Sequence, residues 1–144
     1  MIRKFALIFG VIYLLVGILG FIPGASWGHD ALHAARPVSV DTSHGLLLGL
    51  FPINVLHNIV HILIGIWGLL ASRSIGGSRL YAQGLAVVYG LLTILGLIPA
   101  TKTLFGLVPI HGFDIILHAG SALIAAYFGF VARNSDGLPA DASR

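Results

Sequence analysis

Four stretches of this chain run for more than twenty residues with at most one charged side chain, and that feature removes most folds from consideration. They are Phe5 to Gly28, Gly45 to Ser72, Leu80 to Thr101, and about Ile110 to Ala132, the last interrupted only by Asp114. A helix needs about 20 apolar residues to cross a hydrocarbon core roughly 30 Å thick. Lipid cannot satisfy exposed backbone N–H and C=O groups, so such segments span as helices. The expected fold is all-α, a bundle of four transmembrane helices. Only 9% of the 144 residues are charged, against about 25% in soluble domains. A soluble fold would lack the residues to cover its surface.

Basic residues set the orientation. Arg3, Lys4, Arg73, Arg79, Arg133 and Arg144 fall on one side of the four spans, Arg36 and Lys102 on the other. By the positive-inside rule both termini are cytoplasmic. The loop from about Gly24 to Phe51, with His29, Asp30, His33, Asp41 and His44, is then external, as is the short loop around Lys102. Residues 134–144 read as a disordered cytoplasmic tail. In the second run, Pro52 suits the first turn of a helix, where its missing N–H costs nothing. That places the span at about Pro52 to Leu70, with Gly45 to Phe51 as an interfacial or re-entrant piece. The basic residues form no patch or stripe of the kind nucleic-acid binders carry, so the partner expected first is the bilayer.

An internal repeat organises residues 1–133. The segment from Tyr13 to Pro23 matches the segment from Tyr89 to Pro99: tyrosine, Ile-Leu-Gly and Ile-Pro recur in register. Leu50 to His61 likewise matches Leu107 to His118 through Leu, Pro-Ile, an isoleucine and the final histidine, and His57 aligns with Asp114. The units cover about residues 5–73 and 80–133. Each is a hairpin of two helices, so the two have the same orientation and relate by a pseudo-twofold along the membrane normal. Because the first run matches the third, it is a retained span rather than a cleaved signal peptide, although Arg3-Lys4 and the small residues Gly24-Ala25-Ser26 fit that pattern weakly. Small residues such as Gly17, Gly20, Gly65, Gly68, Ser121, Ala125 and Gly129 supply packing surface.

Polar residues inside the spans carry the chemistry. Asn54, His57, Asn58 and His61 stand at i, i+3, i+4 and i+7; His111, Asp114 and His118 stand at i, i+3 and i+7. Each set makes one helical stripe. Through the repeat, Asn54 pairs with His111, His57 with Asp114, and His61 with His118, starting at the external ends. Ionisable groups at such depth are costly and face a protein interior or a wet cavity. Three readings are open. His57, His61, Asp114 and His118 offer three imidazoles and a carboxylate to a divalent ion such as zinc, iron, manganese or nickel. His61 and His118 alone could ligate haem or another tetrapyrrole from facing helices. Third, the histidines hydrogen-bond their neighbours and fix helix register. The chain has no cysteine, which excludes thiolate sites and disulfides. It contains no Gly-x-Ser-x-Gly elbow, phosphate loop or dinucleotide fingerprint, so no motif assigns a catalytic reaction. Against a ligand-binding role in a redox or transport assembly stands an accessory subunit, packing by its glycine faces in a larger membrane complex or homo-oligomer.

The string Asn54-x-x-His57-Asn58-x-x-His61 after Pro52, with Asp114-x-x-x-His118 and four spans, resembles a family of small bacterial membrane proteins, domain of unknown function 4383. The likeness covers roughly residues 1–133. It implies a four-helix, multi-pass protein of the bacterial inner membrane, and it brings no ligand or activity with it.

Overall fold

Apolar runs that cannot expose their backbone become helices in the structure, a computed structural model that describes residues 1–22 and 45–132. The expected external histidines His29, His33 and His44 and the C-terminal tail lie outside the described residues. The elements are α1 (Ile2–Leu19), a hairpin of β1 (Gly45–Leu47) and β2 (Phe51–Ile53), α2 (Val55–Ala71), α3 (Ile75–Leu97) and α4 (Phe113–Ala126). A π-helical turn, Tyr127–Val131, extends α4 and closes with Ala132 N donating to Tyr127 O at 2.8 Å. Among the described residues, three helices are long and apolar enough to cross a membrane: Ile2–Leu19, Ile75–Leu97 and Phe113–Val131; α2, with 17 residues, is shorter.

Helix starts differ from the sequence reading for local reasons. Pro52 is not in the first turn of α2 but in β2, opposite Leu46 in the antiparallel pair. The expected interfacial piece, Gly45 to Phe51, is most of that hairpin. Asn54 is extended at φ −144° and its side chain accepts from His57 N, which makes it the N-cap, a role its short amide suits better than proline does. Leu48 and Gly49 supply the two positive φ values, 54° and 71°, of a three-residue hairpin turn between paired Leu47 and Phe51, in which Leu50 N donates to Leu47 O at 3.1 Å. Before α4 the chain makes a similar turn. Phe105 and Gly106 have φ 60° and 89°, Leu107 N donates to Leu104 O, and Ile110 N donates to Lys102 O. That fold-back delays the start of α4 from about Ile110 to Phe113, after Gly112 at φ 69°. On α3, Ser74 accepts from Gly77 N and starts the helix at Ile75, ahead of the expected Leu80.

Packing divides the bundle into two close pairs, α1 with α2 and α3 with α4. Where α1 meets α2 the contact is backbone on backbone. A Cβ on Gly10 would stand 2.7 Å from Leu69 N, and one on Gly65 would stand 2.5 Å from Leu14 N. The pairs meet through a core of Phe5, Tyr13, Tyr81, Leu85, Tyr89 and Ala125. Tyr13 and Tyr89 stack at 5.3 Å with 10° between their planes. One end of the bundle is basic: Arg3 Nε donates to Ser72 O at 2.8 Å, and an Arg79 Nη donates to Ala132 O at 3.1 Å.

Helix α4 packs on α3 and touches α1 and α2 little, so the seam between α4 and the α1–α2 pair stays partly open. Gly65→Val should force α1 from α2 and lower stability by about 1–3 kcal/mol, as overpacking does. Gly90→Ala meets open space and should leave the thermal midpoint in detergent unchanged or slightly higher. Equal midpoints for the two variants would contradict the backbone contact.

Candidate functional site

Asn54 positions the site at the start of α2, beside the start of α4. Fully buried, it accepts from His57 N at 2.8 Å through Oδ1 and donates through Nδ2 to Leu107 O at 2.7 Å. One amide thus starts α2 and ties it to the turn before α4. His57, one turn further on, is fixed by its Nδ1, 3.1 Å from Pro52 O. A hydrogen bond to a carbonyl oxygen needs the proton on Nδ1, which puts the ring's lone pair on Nε2. His61 repeats the pattern, with its Nδ1 3.0 Å from His57 O. Imidazoles that ligate metals commonly donate their other nitrogen in this way.

Asp114 lies in the first turn of α4, where the helix dipole favours a carboxylate. Its Oδ2 is 4.0 Å from His57 Nδ1. His118 follows one turn deeper, and one ligating atom each from His57, Asp114 and His118 lie within 4.8 Å of one another. All three side chains are buried. Asp114 Oδ2 and His118 Nδ1 are buried without a hydrogen-bond partner. A buried polar atom left unmet costs about 1–3 kcal/mol.

Of the four sequence-derived ligands, three converge. His61 stands beside them, its ring centroid 4.5 Å from that of His57, and lies outside the group of three. The other stripe members separate. Asn58 turns toward α1, where a Cβ on Gly20 would collide with its amide. His111 falls outside α4, half-buried, and partial burial together with the Lys102 ammonium holds its imidazole below the ordinary range.

Two tyrosines that mark the sequence repeat also flank the histidines. Tyr13 lies 5.5 Å from His61 and Tyr89 lies 4.9 Å from His118, ring centre to centre. Their recurrence in register was the visible signal; their place beside the site follows from the stacking of α1 on α3. A cavity of about 230 Å³ adjoins the group, with His57, His61, Asp114, His118 and Ser121 on its polar side and Phe9, Phe51 and Leu117 among its apolar lining.

The profile of the DUF4383 domain of unknown function matches residues 3–131, and the chain belongs to that family. No curated protein and no solved structure matches it.

Asn54→Ala removes both the cap and the tie to Leu107 and should cost about 1–3 kcal/mol. Asn54→Asp keeps an oxygen for His57 N but has no N–H for Leu107 O, so its unfolding midpoint should fall between wild type and Asn54→Ala. A midpoint for Asn54→Asp equal to that of Asn54→Ala would remove the capping role.

Proposed function

We propose that this protein binds a divalent first-row ion, of the zinc, iron or manganese kind, through His57, Asp114 and His118 near the external leaflet of a bacterial inner membrane. The observation that carries the reading is the convergence of three buried ligating side chains within 4.8 Å. Two imidazoles and a carboxylate suit borderline divalent ions, and three protein ligands leave a coordination position open. With Nδ1 protonated, His57 would ligate through Nε2. His61 is a further imidazole at hand rather than an equal member of the set. The role that follows is ligand binding in a redox or transport assembly.

Bis-histidine haem through His61 and His118 is the weaker reading. The cavity, about 230 Å³, lies below the roughly 300–1,000 Å³ of pockets that hold drug-sized ligands, and a porphyrin is larger than most of those.

The topology belongs to the same proposal: four spans, two tandem parallel hairpins with a pseudo-twofold, and both termini cytoplasmic. At 1.5 Å per residue α2 extends about 26 Å, close to the hydrocarbon thickness. Support for the twofold comes from paired features: the left-handed turns at Leu48-Gly49 and Phe105-Gly106, the stacked Tyr13 and Tyr89, and a tyrosine beside the deeper histidine of each half. Support for the orientation comes from Arg3 and Arg79 lying at one end of the bundle, against Ser72 and Ala132.

Elemental analysis of protein extracted gently and supplied with zinc, iron or manganese tests the ion. We expect near-stoichiometric metal, reduced at least tenfold in affinity by His57→Ala, Asp114→Ala or His118→Ala and less by His61→Ala. Occupancy should fall as pH drops through about 6, because protons compete for the imidazoles. Protein that takes up no metal under any of these conditions would leave the accessory-subunit reading in its place. A C-terminal reporter active only outside the cytoplasm tests the topology; activity would reverse the orientation and move the site to the inner leaflet.

A further inference from the structure

The cavity beside the group opens at the outer surface of the bundle. Its rim includes Ile12 on α1, Leu48 of the hairpin turn and Leu117 on α4, all exposed on the outer surface of the bundle. On the proposed topology, Ile12 and Leu117 lie within the hydrocarbon region. Its inner end is different in kind, holding buried Asp114 Oδ2 and His118 Nδ1 without hydrogen-bond partners. A ligand for such a space must be lipid-borne at one end and must offer hydrogen-bonding atoms at the other. An acyl chain meets the first requirement only. Size narrows the class further. A cavity of about 150 Å³ holds benzene, so about 230 Å³ accommodates a one-ring head group. The side walls include Phe9, Tyr13 and Phe51, flat surfaces against which a ring packs well.

We propose that this cavity binds the head group of a one-ring quinone or quinol that enters sideways from the bilayer between α1 and α4. A ring hydroxyl donates to Asp114 Oδ2, or a ring carbonyl accepts from His118 Nδ1–H, and the isoprenoid or alkyl tail leaves past Ile12 and Leu117. The inference rests on the preceding reading in placing ligand binding at Asp114 and His118, and it adds the class of molecule that reaches the open side of the ion.

The test uses the full chain in lipid nanodiscs, with metal content measured on the same samples. The probe is a decyl-substituted benzoquinone, and the control is decylbenzene, which has the same ring and tail without oxygens. We expect a saturable rise in thermal midpoint with the quinone and none with decylbenzene. Ile12→Trp and Leu117→Trp, surface changes at the rim away from the ligating atoms, should each weaken quinone binding at least tenfold and leave metal content unchanged. Asp114→Asn should weaken binding of the corresponding decyl hydroquinone, whose ring hydroxyl donates to Asp114 Oδ2. No response to the quinone in metal-loaded protein overturns this inference and leaves the metal reading standing. An equal response to decylbenzene, or one that survives both rim variants, also overturns it and points to an acyl chain or to the surrounding lipid. A quinone response with the expected variant pattern in protein that holds no metal supports the cavity's role and removes the ion instead.

Discussion

Backbone contact across glycines is the interaction on which the rest of this structure depends. In lipid, helices gain nothing by hiding apolar surface from one another, so association rests on close van der Waals contact. Gly10 and Gly65 let α1 and α2 approach until main chain meets main chain. Helix α1 is then held against α2 along most of its length and presents Tyr13 toward Tyr89. Because so much contact is concentrated within each pair, α4 lies close to α3 and meets α1 and α2 at few points. The open seam, and with it the cavity, follows from that unequal distribution.

The polar wall of the cavity is held by groups that are themselves satisfied. Asn54 spends both ends of its amide, on His57 N and on Leu107 O, and His57 and His61 each rest Nδ1 against a carbonyl. These bonds leave the rings little freedom to turn. By contrast, Asp114 Oδ2 and His118 Nδ1 have no such anchor. The α2 side of the site is thus set before any ligand arrives, while the α4 side keeps unmet hydrogen-bonding capacity. Such a division suits binding, since a prearranged half lowers the ordering cost when a ligand joins.

Much of the helical architecture was legible in the sequence because lipid permits so few alternatives to a long apolar helix. The helix starts were not. Pro52 fits the first turn of a helix and an outer strand of a short hairpin equally well by composition. The choice depends on Gly49 closing a left-handed turn and on Asn54 taking the cap. His57, Asp114 and His118 were legible as helical stripes, since i, i+3 and i+7 spacing survives small errors in the boundaries. Asn58 and His111 were not separable from them: one turns toward Gly20 on a neighbouring helix, and the other drops out when Gly112 delays α4. The cavity had no sequence signature, because it lies between helices that do not follow one another in the chain.

The pairing of His57 with Asp114 has a further consequence when set on the proposed twofold. Two separate copies of one hairpin, meeting across a true axis, would place every residue opposite its own duplicate: imidazole against imidazole, or carboxylate against carboxylate. Joining the copies in a single chain releases that constraint, because each half then accumulates its own substitutions. Asn58 opposite Gly20 and Ile115 opposite Gly96 show the halves already differing in what they pack. At the level of His57 the same freedom sets a neutral donor against an acidic one. On the proposed twofold, a homodimer of one hairpin could reach that mixed donor set only by fusing its copies or by becoming a heterodimer.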